Sequence, residues 1–188
     1  MNREEFAKAA RAGQTVWVGG AYDALSAKLI EEAGMSAIMT TGFGVSASHL
    51  GAPDLELYTM TENLAVVRNI VNAVDAPVIA DTDTGYGNAL NVMRTVREFE
   101  AAGVAAMIFE DQESPKKCPA AANKIEILEI QESIGKIRAA VEARKNPDVL
   151  IIARTDATTE DEAIERGFWH PRSNSVTGLL EQLRNSVE

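Results

Sequence analysis

The chain has 188 residues and a formal net charge of −10, with 46% hydrophobic and 24% charged residues. This length and balance are enough for the core of one globular domain. The acidic charge argues against binding to nucleic acid or to an anionic membrane, and the single cysteine, Cys118, excludes an internal disulfide framework. The N-terminus lacks the apolar segment of a signal peptide, and no apolar run approaches the roughly 18 residues of a membrane helix, so we expect a cytoplasmic protein.

Short apolar strands alternate with helical segments along most of the chain. Strands are predicted at 15–20, 37–41, 77–82, 105–111 and 149–156, and helices at 4–12, 24–33, 61–74, 89–102, 131–144 and from about 159. Residues 42–54 are predicted to form a long loop, a feature that compact domains often keep for function. A strand and a helix recur about every 30 residues, which is typical of βαβ units around a parallel sheet.

Each predicted strand is almost wholly apolar and becomes polar or glycine-rich at its carboxyl end. Strands buried on both faces have this composition, and α/β folds carry their sites at that end of the sheet. The sequence therefore predicts one rim that brings together Gly19-Gly20, Thr41-Gly42, Asp81 and Asp83, Glu110-Asp111, and Arg154 to Asp156.

The stretch from Pro77 to Gly87 contains the main candidate site. In an extended strand successive side chains alternate, so Asp81 and Asp83 should point the same way. Two adjacent carboxylates repel each other unless a cation or a proton lies between them. Oxygen ligands at the end of a buried strand suit a hard cation such as Mg²⁺. The alternative interpretation is a solvated acidic turn.

Two further residues each have two interpretations. Arg154 either pairs with the neighbouring carboxylates or holds a substrate carboxylate in a two-pronged hydrogen bond. Cys118 follows Lys116 and Lys117, whose charges would lower the pKa of its thiol and favour the reactive thiolate. A lone cysteine is more often an inert small hydrophobe, but the polar, proline-flanked surroundings of Cys118 favour a loop position.

Five motifs, in order along the chain, resemble those of the isocitrate lyase / phosphoenolpyruvate mutase superfamily. They are Thr41-Gly42 with the loop to Asp54, Asp81 to Gly87, Phe109 to Gln112, Pro115 to Cys118, and Ala153 to Ala157. The resemblance implies a (β/α)8 TIM barrel that binds Mg²⁺ and a small carboxylic acid and forms homo-oligomers, dimers or tetramers. It also implies a lyase that makes or breaks a C–C bond through an enolate, or, as an alternative, a phosphoenolpyruvate mutase-like enzyme acting on a P–C bond.

The resemblance implies residues that bind the metal and the substrate. Asp81, Asp83 and Glu110 match the acidic groups around Mg²⁺. Thr41, Gly42 and Phe43 match the loop whose backbone N–H groups bind a carboxylate or enolate oxygen of the substrate.

The resemblance also implies three catalytic residues. Asp54 matches the loop acid near the substrate, Arg154 matches the arginine that holds the substrate acid, and Cys118 matches the cysteine that protonates the enolate in the lyases. In the lyases this cysteine is usually followed by Gly-His, whereas Pro119-Ala120 stand here. That departure removes a candidate acid–base residue and leaves open a broader 2-hydroxy or 2-oxo acid lyase or an oxaloacetate decarboxylase-like enzyme.

The predicted strands are too few for a closed barrel. A full barrel needs roughly 250 residues, whereas residues 1–166 supply about five βα units, so we expect a barrel that is incomplete at its C-terminal end. Residues 167–188 are predicted to be an atypical tail, a loop followed by a short helix at 177–186. An open sheet edge invites pairing with another chain. One alternative is therefore a catalytically inactive truncated homologue that oligomerises or binds small acids, and another is an open-sheet protein unrelated to lyases.

Overall fold

Five parallel strands form a single sheet in a computed structural model that describes residues 1–118 and 125–168. The strands are β1 (Val18–Ala21), β2 (Ala37–Thr40), β3 (Val78–Asp81), β4 (Ala106–Glu110) and β5 (Leu150–Arg154). They pair in chain order, and each pair is parallel. The predicted number of strands and the predicted parallel arrangement are therefore confirmed for the described residues.

Helices precede the first strand, connect successive strands and follow the last one. They are α1 (Arg3–Arg11), α2 (Ala24–Glu32), α3 (Gly42–Val45), α4 (Met60–Ala73), α5 (Ala89–Ala102), α6 (Ile130–Ala143) and α7 (Glu160–Phe168). The start of α4 differs from the prediction, because Thr59 and Glu62 form a capping box in which each side chain accepts from the other's backbone N–H. Helix α5 ends as predicted at Gly103, whose φ of +98° is readily adopted by glycine.

The segment predicted as a long loop is partly helical. Helix α3 begins where the hydroxyl of Thr41 accepts a hydrogen bond from the backbone N–H of Gly44 at 3.3 Å. A π-helical turn, Ser46–Leu50, follows it and ends at Gly51. The glycine and serine content of this segment disfavours helix, but Val45 and Ser46 are fully buried, so tertiary packing overrides the local preference.

The two faces of the sheet are covered by different elements. Helices α4, α5 and α6 bury one face in a cluster that includes Val67, Ala80, Val96, Phe99, Met107, Phe109, Ile137 and Ile151. Helix α1 packs through Phe6 and Ala7 against the alternate strand residues Ile79, Ala106 and Leu150. Glu110 lies on the same side as Ala106, as alternation along β4 predicts, so the acidic rim faces the side that α1 covers.

Helix α7 extends to Phe168, so Gly167 and Phe168 are helical rather than part of the predicted loop. The remainder of the predicted tail, including the helix at 177–186, lies outside the described residues, and the division at residue 166 stays a prediction. No helix in the described ranges is long and apolar enough to cross a membrane.

Candidate active site

Three carboxylates from three separate parts of the chain converge on one buried ammonium group. Lys116 Nζ lies 2.5 Å from Asp83 Oδ1, 3.0 Å from Asp54 Oδ2 and 3.6 Å from Glu110 Oε1. Asp54 lies in the connection after β2, Asp83 follows β3, and Glu110 ends β4. The structure thus brings together two of the predicted rim residues, Asp83 and Glu110, with Asp54, the loop acid that the resemblance implied. It adds Lys116, which the sequence placed only beside Cys118.

Asp81 and Asp83 do approach each other, but strand alternation is not the reason. Strand β3 ends at Asp81, and Asp83 has a φ of +51° in the turn that follows. The backbone N–H of Asp83 donates to Asp81 Oδ1 at 3.1 Å. A tight turn that folds back on the strand end therefore pairs the two carboxylates, and the predicted extended geometry is wrong at Asp83.

Gly42 lies against the same cluster. Its backbone N–H donates to Asp81 Oδ2 at 2.9 Å. A Cβ at this position would lie 2.9 Å from the hydroxyl of Tyr58 and 3.0 Å from oxygens of Asp81 and Asp83. The N–H of Thr41 also donates within the chain, to the carbonyl of Ala21 at 3.0 Å. Two of the three backbone groups predicted to receive a substrate oxygen are therefore engaged here, and the side chain of the third, Phe43, is exposed.

Two tyrosines that the sequence reasoning missed line the cluster. Tyr86 donates its hydroxyl to Asp83 Oδ2 at 3.1 Å and accepts from Asn63 Nδ2 at 2.7 Å. Tyr58 is buried, and its hydroxyl has no hydrogen-bond partner among the described residues. Burial, followed by the charge of Asp83, raises the pKa of both tyrosines, so both stay neutral. Tyr86 stands within the recognised Asp81 to Gly87 motif, whereas nothing local in the sequence marks Tyr58.

Burial and charge work against each other in the cluster. Burial raises the pKa of Glu110 to about 7, although the positive charges of Lys116 and Arg154 oppose that shift. Burial and the neighbouring charge of Asp83 likewise raise the pKa of Asp81. Burial would lower the pKa of Lys116, but the charges of Asp83, Asp81 and Glu110 together raise it above its usual value. The ammonium therefore remains charged and neutralises part of the acidic cluster.

Arg154 forms the ion pairs that one of its two interpretations predicted. Its Nη1 lies 3.0 Å from Glu110 Oε2, and its Nη2 lies 2.7 Å from Asp156 Oδ1. The side chain remains 43% exposed, so part of the guanidinium faces the solvent. The predicted contact with a substrate carboxylate stays a prediction.

The surroundings of Cys118 differ from those that the sequence predicted. Lys117 pairs its ammonium with Glu126, and Lys116 points into the carboxylate cluster. Both lysines that were expected to activate the thiol are thus engaged with carboxylates. Cys118 is a free, half-buried thiol. Pro119 and Ala120 lie outside the described residues. Its catalytic role stays a prediction.

Glu56 connects the segment before Cys118 to the turn after β3. Its carboxylate accepts from Thr84 Oγ1 at 2.6 Å, from Ser114 Oγ at 2.9 Å and from the backbone N–H of Lys116 at 3.3 Å. Its φ of +55° is unusual for a residue with a side chain. Nothing in the local sequence indicates this contact, because Glu56 and Lys116 are 60 residues apart along the chain.

The donor chemistry of the cluster fits a hard cation. Asp83 Oδ1, Glu110 Oε1 and Asp54 Oδ1 are buried and accept no well-formed hydrogen bond within the described residues. Buried carboxylate oxygens of this kind suit Mg²⁺. As the side chains stand, however, no three acidic, His or Cys side chains in the described ranges are arranged around a common metal position. The carboxylates of Asp54, Asp83 and Glu110 instead form ion pairs with Lys116 Nζ.

A cleft of about 400 Å³ opens beside the cluster. Glu56, Tyr58, Tyr86 and Ser114 contribute to its walls, together with Arg94 of α5. The carboxylates of Asp54, Asp83 and Glu110 do not line this cleft, so Tyr58 and Tyr86 lie between the cleft and the cluster.

Parallel strands with an acidic rim at their carboxyl ends define a domain of the α/β-barrel class. Residues 6–170 match the family model described as phosphoenolpyruvate phosphomutase, and the chain belongs to this family, within the isocitrate lyase/PEP mutase superfamily. The predicted superfamily and the TIM-barrel-type fold are therefore confirmed.

Individual relatives agree with this placement. The chain is 57% identical over 172 residues to a 2,3-dimethylmalate lyase of Eubacterium barkeri, a match that covers 90% of this chain and 59% of the relative. A phosphoenolpyruvate phosphomutase from Streptomyces platensis subsp. rosaceus superposes with a TM-score of 0.87 at 40% identity, covering 92% of this chain and 61% of that one. A phosphonopyruvate hydrolase solved with oxalate and Mg²⁺ gives 0.82 at 37% identity, covering 92% and 60%. The chain thus spans about six tenths of the length of these relatives.

Proposed function

We propose that this chain carries the active-site half of a Mg²⁺-dependent carbon–carbon lyase that acts on a small 2-hydroxy or 2-oxo carboxylic acid through an enolate. The observation that carries the proposal is the convergence of Asp54, Asp83 and Glu110 on one cationic group at the rim. The similarity to a 2,3-dimethylmalate lyase supports the reaction class, and the solved hydrolase with oxalate and Mg²⁺ supports the metal and the kind of ligand.

The rim residues would bind the metal, orient the substrate and transfer protons. Asp81, Asp83 and Glu110 would hold Mg²⁺, which when bound supplies positive charge to the oxygen atoms of the acid. The solvent-facing side of Arg154 would orient the substrate carboxylate. The Asp54 carboxylate would take the proton of the substrate hydroxyl. The hydroxyl-bearing carbon then becomes the carbonyl of one product, the adjacent C–C bond breaks, and its electron pair passes to the enolate of the other product. Cys118 would then give a proton to the enolate carbon.

The test is an assay of the purified 188-residue protein with 2,3-dimethylmalate, with and without Mg²⁺. Cleavage between the second and third carbons leaves pyruvate and propionate, and pyruvate is detected by a coupled dehydrogenase. We expect turnover that EDTA abolishes and that Asp83→Asn removes. Glu113→Gln, a change in an exposed side chain, is the matched control and should retain the activity.

A P–C bond enzyme is the second candidate, because the family model and two solved relatives are named for phosphonate chemistry. Turnover of phosphonopyruvate in place of dimethylmalate would favour it. A folded protein that turns over neither compound would instead support a non-catalytic module. We expect the protein, whether a module or an enzyme, to form homo-oligomers through an apolar surface near the β1 edge. This surface consists of the exposed side chains Trp17, Leu25 and Leu29.

A further inference from the structure

The ammonium group of Lys116 lies between Asp83 and Glu110, two of the three predicted metal ligands. We propose that Lys116 is an internal counter-ion that a divalent cation must displace, so that binding of the cation releases the segment carrying Cys118 from the carboxylate cluster. The inference rests on the proposed function, since it requires that the cluster binds such a cation.

Two positive charges do not fit together in this cluster. Lys116, Asp83 and Glu110 are all at least 95% buried, and water therefore screens charges poorly at this position. The Nζ atom lies within 3.6 Å of an oxygen from each of Asp54, Asp83 and Glu110. A cation bound by Asp83 and Glu110 would lie a few ångströms from the ammonium at most, and the two would repel. Occupancy by one therefore excludes the other.

The ammonium neutralises the carboxylates without satisfying them. An ammonium offers three N–H donors, whereas the surrounding carboxylates present many more lone pairs. Asp83 Oδ1, Glu110 Oε1 and Asp54 Oδ1 remain buried without a well-formed hydrogen bond within the described part of the chain. A divalent cation accepts about six oxygen ligands, and it carries twice the charge. The cluster is thus better matched to the cation than to Lys116.

Departure of the ammonium would loosen the segment from Ser114 to Cys118. The side chain of Lys116 ties the segment from Ser114 to Cys118 to the cluster, and Glu56 holds the backbone N–H of Lys116 at 3.3 Å. Cys118 follows only two residues later and is half-buried. When the Lys116 ammonium leaves the cluster, the segment keeps its hydrogen bonds to Glu56 and Gln112 but loses its ion pairs with the carboxylates. The environment of the nearby thiol changes with that loss.

The first test uses Cys118, the single cysteine of the chain, as its reporter. The rate of alkylation by iodoacetamide is measured for the whole protein with EDTA and with saturating Mg²⁺. We expect Mg²⁺ to raise the rate at least threefold in the wild type. In Lys116→Met the rate should already be high in EDTA and should not respond to Mg²⁺. Lys117→Met, which removes the neighbouring charge that pairs with Glu126, should keep the response.

The second test measures Mg²⁺ affinity by calorimetry in the same three proteins. We expect Lys116→Met to bind Mg²⁺ at least tenfold more tightly than the wild type and Lys117→Met. Equal affinities in all three would overturn the inference and leave the proposed metal dependence intact. Absence of binding in all three would overturn both. If Lys116→Met does not fold by circular dichroism, Lys116→Gln removes the charge while it keeps a polar group, and the same outcomes apply.

Discussion

Glu110 and Arg154 end neighbouring parallel strands in register, and Arg154 Nη1 lies 3.0 Å from Glu110 Oε2. Despite this partner and Lys116, burial raises the pKa of Glu110 from its ordinary 4.5 to about 7. The carboxyl group therefore takes up a proton near neutral pH in the folded protein, whereas in the unfolded chain it does so about 2.5 pH units lower.

This difference predicts how stability depends on pH. Between about pH 4.5 and 7 the folded protein binds more protons than the unfolded chain, so the free energy of unfolding falls as the pH rises through that window. For Glu110 alone the loss is on the order of 3 kcal/mol, and the raised pKa of Asp81 acts in the same direction. With EDTA present, thermal unfolding should occur at a lower temperature at about pH 8 than at about pH 5.5.

The Glu110→Gln variant should lose most of this pH dependence, because its side chain does not titrate. Glu113→Gln, in an exposed side chain, should retain it. A wild-type protein whose unfolding temperature rises with pH across the same range would contradict the assignment of a raised pKa to Glu110.

Gly42→Ala should abolish metal-dependent binding while the protein still folds. The added methyl group would lie about 3 Å from the hydroxyl of Tyr58 and from carboxylate oxygens of Asp81 and Asp83, so the carboxylates must shift. We expect a stability cost of about 1–3 kcal/mol and no Mg²⁺-dependent binding of oxalate by calorimetry. Gly20→Ala is the control, because its Cβ would meet nothing within 4 Å. Unchanged oxalate binding in Gly42→Ala would show that Gly42 is not part of the binding site.

The sequence predicted the position of the site better than its detailed geometry. Parallel strands present their carboxyl ends at one rim, which is why Asp81, Glu110 and Arg154 could be grouped without any structure. Alternation fails at Asp83, because the chain has already left the strand there and turned through a positive φ. The position of the Lys116 ammonium depends on carboxylates from three distant parts of the chain, Asp54, Asp83 and Glu110. The local sequence around Lys116 does not indicate which of them it will contact.

For the helices too, the sequence predicted the elements better than the contacts that define their ends. Gly103 and the periodic apolar residues of α5 set its limits, and the prediction matched the structure. Thr59 and Thr61 are both suitable residues to cap the start of α4. Only the reciprocal contact of Thr59 with Glu62 decides that Thr59 is the cap and that Thr61 lies inside the helix. The short helix after β2 could not be predicted, because its stability depends on the burial of Val45 against the rest of the fold.

Asp111→Ala should destabilise the protein strongly without touching the carboxylate cluster. The Asp111 carboxylate accepts from Thr155 Oγ1 at 2.7 Å, from the N–H of Asp156 at 2.9 Å and from Arg166 Nη1 at 3.2 Å. Arg166 keeps its pair with Glu162, but removal of the Asp111 carboxylate takes the acceptor from three donors at once, at a cost of about 2–5 kcal/mol. Asp148→Ala breaks a pair with Arg11 that is about one-third exposed and should cost below about 1 kcal/mol. Urea unfolding measures both, and similar costs would contradict the difference.

Substitutions at Glu56 can separate its hydrogen bonds from its backbone strain. Glu56→Ala removes the contacts to Thr84, Ser114 and Lys116 and keeps a side chain at a φ of +55°. Glu56→Gly removes the same contacts, but glycine adopts this conformation without steric cost. We expect both variants to be less stable than the wild type, Glu56→Ala by roughly 2 kcal/mol or more, with Glu56→Gly recovering about 1 kcal/mol. Urea unfolding gives the order, and a Glu56→Ala protein at least as stable as Glu56→Gly would show that the left-handed conformation does not survive the loss of the hydrogen bonds.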